Sequence, residues 1–104
     1  MKTIFVYGIL QKDIDGPGFG LIDKYYIGRA FLYGYKRNSL VHISKSKRED
    51  SYIAGDIFKV PDELEKKLYA FEKSYGYERV TTKPQLVDNA EKYECISYII
   101  TKNE

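Results

Sequence analysis

Hydrophobic and polar positions along the chain predict a β-rich domain. Six stretches rich in aliphatic, β-branched or aromatic residues are separated by glycine, proline or charged runs, which is the pattern of strands. These stretches are residues 2–7, 25–33, 40–44, 52–60, 77–87 and 93–101. Pro84 interrupts the fifth stretch. Because proline has no N–H to give to a ladder, we expect that strand to be bent or to lie at a sheet edge.

One segment has the period of an amphipathic helix. Four apolar or aromatic residues recur at intervals of four, three and four, which places them on one helical stripe. They are Leu64, Leu68, Phe71 and Tyr75. Pro61 ends the preceding strand, and Asp62 followed three residues later by Glu65 predicts an N-cap with a capping box. The Ser-Tyr-Gly sequence at 74–76 predicts the end of the helix.

These elements predict an α+β fold: a small mixed β-barrel or curled sheet of about six strands with one main helix packed on it. With 104 residues, the chain has the size of one small domain, which we place at residues 1–104. Residues 15–20 contain three glycines and one proline, so we expect a loop there.

The composition mainly argues against certain kinds of partner and against a disulfide. Seventeen basic and fifteen acidic residues leave a net charge of +2, which is too weak a field to indicate a nucleic-acid or membrane partner. A small nucleic-acid-binding barrel using Lys45, Lys47 and Arg48 stays open as a minor alternative. The single cysteine, Cys95, excludes an internal disulfide and fits a reducing compartment. No room for a signal sequence precedes the first strand, so we expect a cytoplasmic protein.

Glu72 is the first candidate for chemistry. It lies roughly 60° from the centre of the predicted stripe, at the edge of the buried face. It also falls in the last helical turn, where the helix dipole disfavours another negative charge. Both effects raise a carboxyl pKa toward the value that a general base needs near neutral pH. The alternative is a flanking glutamate paired with a nearby lysine, and periodicity alone favours that alternative.

A second candidate is the sequence Tyr7-Gly8-Ile9-Leu10, where the first strand turns into a loop. Glycine lets a backbone approach a ligand closely, and successive free N–H groups in such a turn can hold an anion or a polarised carbonyl. An ordinary tight turn explains the same residues.

Other chemistries have little support. His42 and Cys95 invite a nucleophilic dyad, but both fall in apolar strand-like runs, where packing roles are the usual explanation. One histidine and one cysteine lack partners at ligand spacing, so we expect no metal and no cofactor. The glycines of residues 15–20 are not followed by Gly-Lys-Ser/Thr, so a phosphate loop is unsupported.

The two candidates, the sequence at residues 7–10 and the later helix that carries Glu72, follow one another in a distinctive order. "FVYGILQKD" (5–13) resembles the Tyr-Gly-(Thr/Ser)-Leu opening of the gamma-glutamylcyclotransferase-like family. "AGDIFKVPDELEKKLYAFEKSYGYERV" (54–80) is similar to that family's second block, in which a Gly-Asp/Glu strand leads through a helix to a glutamate and a Tyr-x-Arg. "AFLYGY" (30–35) resembles the family's Gly-Tyr strand. The resemblance covers roughly residues 4 to 101 and looks most like the γ-glutamylamine branch.

This resemblance implies an enzyme of the acyltransferase, cyclotransferase or lyase type that releases 5-oxoproline from a γ-glutamyl amine or a related small amide. It implies Glu72 as general acid and base. It also implies a substrate site formed by Tyr7, the backbone of Gly8, Ile9 and Leu10, and Tyr77. The partner would be the small γ-glutamyl substrate, and the protein would be a monomer or a homodimer.

Four positions depart from the family pattern. Ile9 replaces a hydroxyl residue, Tyr69 and Ala70 stand where relatives commonly carry an acidic residue or two, and Gln11 replaces a common basic residue. These departures leave open a second reading, a catalytically inactive module of the same fold that binds a small molecule.

Overall fold

A computed structural model describes residues 1–7, 22–39 and 42–100. In chain order these residues form eight strands and one α-helix, with a 3-10 turn at Asp23–Tyr25. The strands are β1 (Lys2–Val6), β2 (Tyr26–Tyr33), β3 (Tyr35–Arg37), β4 (Ile43–Lys45), β5 (Tyr52–Val60), β6 (Glu78–Thr82), β7 (Gln85–Leu86) and β8 (Cys95–Ile99). The helix α1 spans Asp62–Lys73 and lies between β5 and β6.

Six strands form one mixed sheet in the order β6-β8-β1-β5-β2-β7, and β3 pairs with β4 in a separate hairpin. The pairing of β1 with β8 is parallel, and the other pairings are antiparallel. The sheet is curled but not closed. The prediction of an α+β fold with a curled sheet and one main helix is therefore confirmed. The alternative of a closed barrel is not confirmed.

The predicted strands agree well with the structure. The run at 52–60 is β5 from end to end. The run at 77–87 divides at Pro84 into β6 and β7, which are the two edge strands of the sheet, as the proline predicted. The run at 40–44 is shorter than predicted, because β4 begins at Ile43. The loop prediction at 15–20 lies outside the described residues.

The core has two parts because successive side chains of a strand point to opposite faces. In β1, Ile4 and Val6 belong to one buried cluster together with Leu68 of α1. Phe5 belongs to the other cluster, which includes Ile57 of β5. Tyr7, the first residue after β1, belongs to that cluster as well. The helix therefore covers one face of the sheet, and the side chain of Tyr7 packs on the other face.

A glycine lets β1 and β5 lie close together beside Tyr7. A Cβ atom on Gly55 would lie 2.5 Å from the main-chain oxygen of Val6 and 2.6 Å from the ring of Phe5. Such distances are shorter than van der Waals contact, so an alanine at this position would force the strands apart.

The start of α1 differs from the prediction. The N-cap residue is Pro61, no side chain caps the helix, and Asp62 is already helical. Asp62 instead pairs with the N-terminal amine at 3.1 Å. The capping box is therefore wrong: Glu65 is buried, with 2% of its surface exposed, and it binds residues of the sheet.

The buried face of α1 is also centred differently from the predicted stripe. Leu68 is buried, whereas Tyr75 lies beyond the helix and is 65% exposed. Glu65 is three residues before Leu68 and Glu72 is four residues after it, so both carboxylates lie on the same face as Leu68. The local pattern counted only apolar residues and so placed Glu72 at the edge of the stripe.

Candidate functional site

The end of α1 brings Glu72 and Tyr77 together. The main-chain oxygen of Glu72 accepts hydrogen bonds from the N–H groups of Tyr75, at 3.0 Å, and Tyr77, at 3.2 Å. Gly76 between them has a φ of 93°, a left-handed conformation that glycine adopts without the penalty of a side chain. The chain therefore turns sharply after the helix and places Tyr77 beside the last helical turn.

The Glu72 side chain is half-buried, and its burial raises the pKa of the carboxyl from 4.5 to about 7. Removal from water penalises the charged form. Within the described ranges no hydrogen bond or ion pair reaches this carboxylate. Glu72 is therefore able to gain and lose a proton near neutral pH, and the prediction of a half-buried carboxyl with a raised pKa agrees with the structure.

Tyr7 lies within the electrostatic reach of Glu72. Its ring is buried, and its hydroxyl donates a hydrogen bond to the main-chain oxygen of Tyr98. Burial raises the pKa of Tyr7 above its ordinary value; nearby Tyr77 and Glu72 raise it further, whereas Arg37 lowers it. The phenol is therefore neutral and held in place at the end of β1.

Tyr77 completes the group of predicted residues that the structure brings together. It is 9% exposed, and burial followed by the charge of Glu72 raises its pKa. Its ring contacts the ring of His42 edge to face, with centroids 6.2 Å apart. Two aromatic hydroxyl residues and one carboxyl thus meet where β1 and α1 end and β6 begins.

Arg37, at the end of β3, was not identified from the sequence. Its Nη1 donates to the main-chain oxygen of Tyr7 at 3.0 Å, and its Nη2 donates to that of Ala54 at 3.4 Å. Its guanidinium carbon lies 5.9 Å from the centre of the Tyr7 ring. This side chain ties the hairpin to the main sheet and brings a positive charge beside Tyr7. The sequence signal was weak, because β3 has only three residues.

The loop residues Gly8, Ile9 and Leu10 lie outside the described residues. Their predicted role in holding substrate therefore stays a prediction. Residue 7, which precedes these loop residues in the chain, lies near Glu72 and Tyr77.

The two residues of the possible nucleophilic dyad have different surroundings. Cys95 is buried in β8, and burial, with a smaller contribution from Glu94, raises its pKa to about 12. A thiol with such a pKa is protonated near neutral pH and is a weak nucleophile. The prediction that His42 packs within a strand is wrong, because it is exposed and precedes β4. Its contact with Tyr77 puts it at the rim of the site.

In the part of the chain that the structure describes, no group of three or more His, Cys, Asp or Glu side chains could hold a metal ion. Over the same residues, no helix is both long and apolar enough to cross a membrane.

A second carboxylate is held quite differently from Glu72. Glu65 accepts hydrogen bonds from Arg79 Nε at 3.0 Å and Arg79 Nη2 at 2.8 Å, and a third from the Tyr98 hydroxyl at 2.8 Å. This paired geometry is the strong form of an arginine–carboxylate interaction. Sequence analysis missed it because the partners lie on β6 and β8, far from Glu65 in the chain.

Comparison with known proteins agrees with this fold. The family model described as gamma-glutamyl cyclotransferase, AIG2-like, matches residues 4–104. The chain belongs to this family. The family match confirms the resemblance found in the sequence and extends over nearly the whole chain. A search of curated proteins found no match.

Solved structures share the fold at low sequence identity. A structure titled gamma-glutamyl cyclotransferase aligns with a TM-score of 0.76 and 19% identity over 99% of this chain and 68% of its own. An AIG2-like protein from Mus musculus aligns with a TM-score of 0.73 and 18% identity over 100% and 80%. YkqA from Bacillus subtilis aligns with a TM-score of 0.78 and 20% identity over 96% and 36%, so this chain spans about a third of YkqA.

Proposed function

We propose that this protein is a cyclotransferase that releases 5-oxoproline from a γ-glutamyl amine or a related small amide. The observation that carries the proposal is the half-buried Glu72 carboxyl, with a pKa of about 7, beside Tyr7 and Tyr77. The family match supports the reaction class.

The reaction requires no nucleophile from the protein. The substrate's own α-amine attacks its γ-carbonyl carbon, which forms a C–N bond and closes a five-membered ring. The bond from that carbon to the departing amine then breaks. A site that holds the substrate in a folded conformation supplies most of the orientation that this intramolecular step needs.

Glu72 moves the proton that links the two steps. As the carboxylate it takes a proton from the α-ammonium, which makes the amine nucleophilic. As the carboxylic acid it gives that proton to the nitrogen of the departing amine. Once it is a carboxylate again, it takes the second proton, which the ring nitrogen loses as the lactam forms, and passes it to solvent. A pKa near the working pH suits both roles, because each form is well populated.

Substrate binding is assigned to the segment that starts at Tyr7. The main-chain N–H groups of Gly8, Ile9 and Leu10 are proposed to hold substrate oxygens, and Tyr77 to border the site. Main-chain donors do not depend on side-chain identity, so the replacement of the family's hydroxyl residue by Ile9 leaves them in place. We further propose a cytoplasmic monomer or homodimer without nucleic-acid or membrane partners.

The direct test is a screen of purified protein against γ-glutamyl amines and γ-glutamyl dipeptides, with chromatographic detection of 5-oxoproline. Wild-type protein should release 5-oxoproline from at least one γ-glutamyl amine, and Glu72→Gln should not. If calorimetry detects binding of these compounds but no 5-oxoproline forms, the chain is the inactive binding module instead. Absence of both binding and release would contradict the proposal.

A further inference from the structure

Glu65, Arg79, Tyr98 and Tyr69 form a cluster between α1 and the sheet that the proposed chemistry does not use. Glu65 is 2% exposed, and the Arg79 side chain is 41% exposed. Arg79 and Tyr98 are cross-strand neighbours on β6 and β8, and both bind the same carboxylate. One helical residue is therefore attached to two adjacent strands.

Aromatic contacts complete this cluster. The ring of Tyr69 stacks on that of Tyr98, with centroids 6.1 Å apart and planes at 14°. The Arg79 guanidinium carbon lies 4.0 Å from the centre of the Tyr69 ring. Tyr69, which lies on α1, thus packs against both residues that bind Glu65, and this second set of contacts restricts the rotation and sliding of α1 on the sheet.

The same cluster reaches the candidate site through one residue. Tyr98 donates its hydroxyl hydrogen to Glu65, and its main-chain oxygen accepts the hydroxyl of Tyr7. Along the helix, Glu72 follows Glu65 by seven residues, which is nearly two turns or about 10 Å. The contacts of Glu65 thus hold on the sheet the same helix that carries Glu72, and Tyr98 is a partner of both Glu65 and Tyr7.

We propose that Glu65, Arg79 and Tyr98 are positioning residues, which set where the Glu72 carboxyl stands relative to Tyr7 and Tyr77. The consequence for turnover rests on the proposed function, but the consequence for the geometry does not. The pair of a buried Glu65 with a partly exposed Arg79 is a weak source of net stability, because desolvation of the carboxylate offsets much of the attraction. The two-point geometry of the Glu65–Arg79 pair is therefore better explained by a role in positioning α1 on the sheet.

The first measurement is independent of catalysis. The pKa of the Glu72 carboxyl is followed by NMR, with 13C-labelled glutamate, in the wild type, Glu65→Gln and Arg79→Lys. Glu65→Gln removes the charge and Arg79→Lys removes the two-point contact. If the cluster places Glu72, either change should let more water reach that carboxyl, and its pKa should fall by about one pH unit.

Thr82→Val is the matched control. Thr82 and Ser97 form a buried hydrogen bond of 2.7 Å between the same two strands, β6 and β8. Its loss should lower the melting temperature without moving the pKa of Glu72. Tyr98→Phe serves as the milder variant if the other two do not fold, because it removes one hydroxyl and leaves Glu65 paired with Arg79.

The second measurement uses a γ-glutamyl amine that the wild type turns over. Each positioning variant should lower kcat about tenfold while KM stays within about threefold, because placement of the carboxyl is lost and substrate binding is not. Folded variants that keep the wild-type pKa of Glu72 would overturn the inference. If the wild type turns over no substrate, the proposed function fails, and the pKa comparison alone decides the positioning role.

Discussion

Two glutamates lie nearly two turns apart on one face of α1, and their surroundings differ in almost every respect. Glu65 is almost fully buried and accepts three hydrogen bonds from Arg79 and Tyr98. Glu72 is half-buried, and in the described parts of the chain no hydrogen bond or ion pair reaches its carboxylate. Burial of an unpaired carboxyl raises its pKa, to about 7 for Glu72.

The difference shows how one helix face carries a structural and a chemical carboxylate. A carboxylate with a full set of donors is held in one geometry. A carboxylate to which no described residue donates a hydrogen bond, at the end of the helix beside Tyr7 and Tyr77, can exchange a proton. Loss of the carboxylate should therefore act mainly on turnover at Glu72 and mainly on stability at Glu65.

The largest effect is expected for Glu72→Gln, which keeps the size of the side chain but cannot carry a proton at neutral pH. Turnover of a γ-glutamyl substrate should fall about 10²–10⁴-fold, the usual range for general acid–base catalysis, while binding survives. The melting temperature should be no lower than that of the wild type. Steady-state kinetics, calorimetric binding and thermal melts check these three results.

Glu63→Gln is the control for that experiment, because Glu63 lies on the exposed side of α1, where its side chain is 86% exposed. It should change neither turnover nor melting. Wild-type turnover in Glu72→Gln would exclude Glu72 as the acid and base, and an unfolded variant would show that its role is structural.

The next largest effect is expected for Glu65→Ala, which leaves the Tyr98 hydroxyl and Arg79 without their acceptor. The free energy of unfolding should fall by about 2 kcal/mol, because the buried Tyr98 hydroxyl loses its acceptor, whereas Arg79, which is 41% exposed, is partly solvated. Glu63→Ala, which breaks only a surface pair with Lys66, should cost less than about 1 kcal/mol. Urea denaturation of both variants checks this, and equal losses would refute the distinction.

The pH dependence of stability gives a smaller effect with a definite sign. The pKa of Glu72 is raised in the folded state, so its contribution to stability is fully present below about 4.5 and is lost as the pH rises through about 7. Glu72→Gln has no carboxyl at this position, so its stability does not fall in this way as the pH rises. Relative to the wild type, the variant should therefore gain about 1–2 kcal/mol between pH 4.5 and 8, after allowance for solvent screening.

Urea denaturation at both pH values measures that gain. A constant difference between Glu72→Gln and the wild type over this range would mean that Glu72 has an ordinary pKa in the folded protein.

The smallest effect on turnover is expected for Cys95→Ala. The thiol is buried in β8 with a pKa of about 12, so the reaction should not use it. Turnover should stay within about twofold of the wild type, and stability should fall by about 1 kcal/mol through lost packing. A folded Cys95→Ala protein that loses more than about a hundredfold in rate would restore the thiol mechanism.

Much of the fold could be predicted because its signals are local. The run at 52–60 alternates between two buried faces, and Pro84 marks the break between the two edge strands. The end of α1 at Lys73, with Ser74 as its C-cap, also follows from the sequence, since Gly76 supplies the left-handed turn. Each of these features depends on residues within a few positions of one another.

The site was only partly predictable because its contacts are not local. Glu72 was found from its place on the helix, but Glu65 was assigned to a capping box. Its true partners are contributed by β6 and β8 and become neighbours only when the sheet forms. The seven-residue spacing of the two glutamates, with Leu68 between them, was the signal in the sequence that could have placed both on the buried face.

The central claim is that Glu72 titrates near neutral pH in the folded protein. NMR titration of its carboxyl carbon, assigned by comparison with Glu72→Gln, tests this without a substrate. We expect a pKa of about 7 for this carboxyl, well above the ordinary value of 4.5. A measured pKa near 4.5 would contradict it, because the carboxyl would then be ionised throughout the neutral range and a poor proton donor to the departing amine.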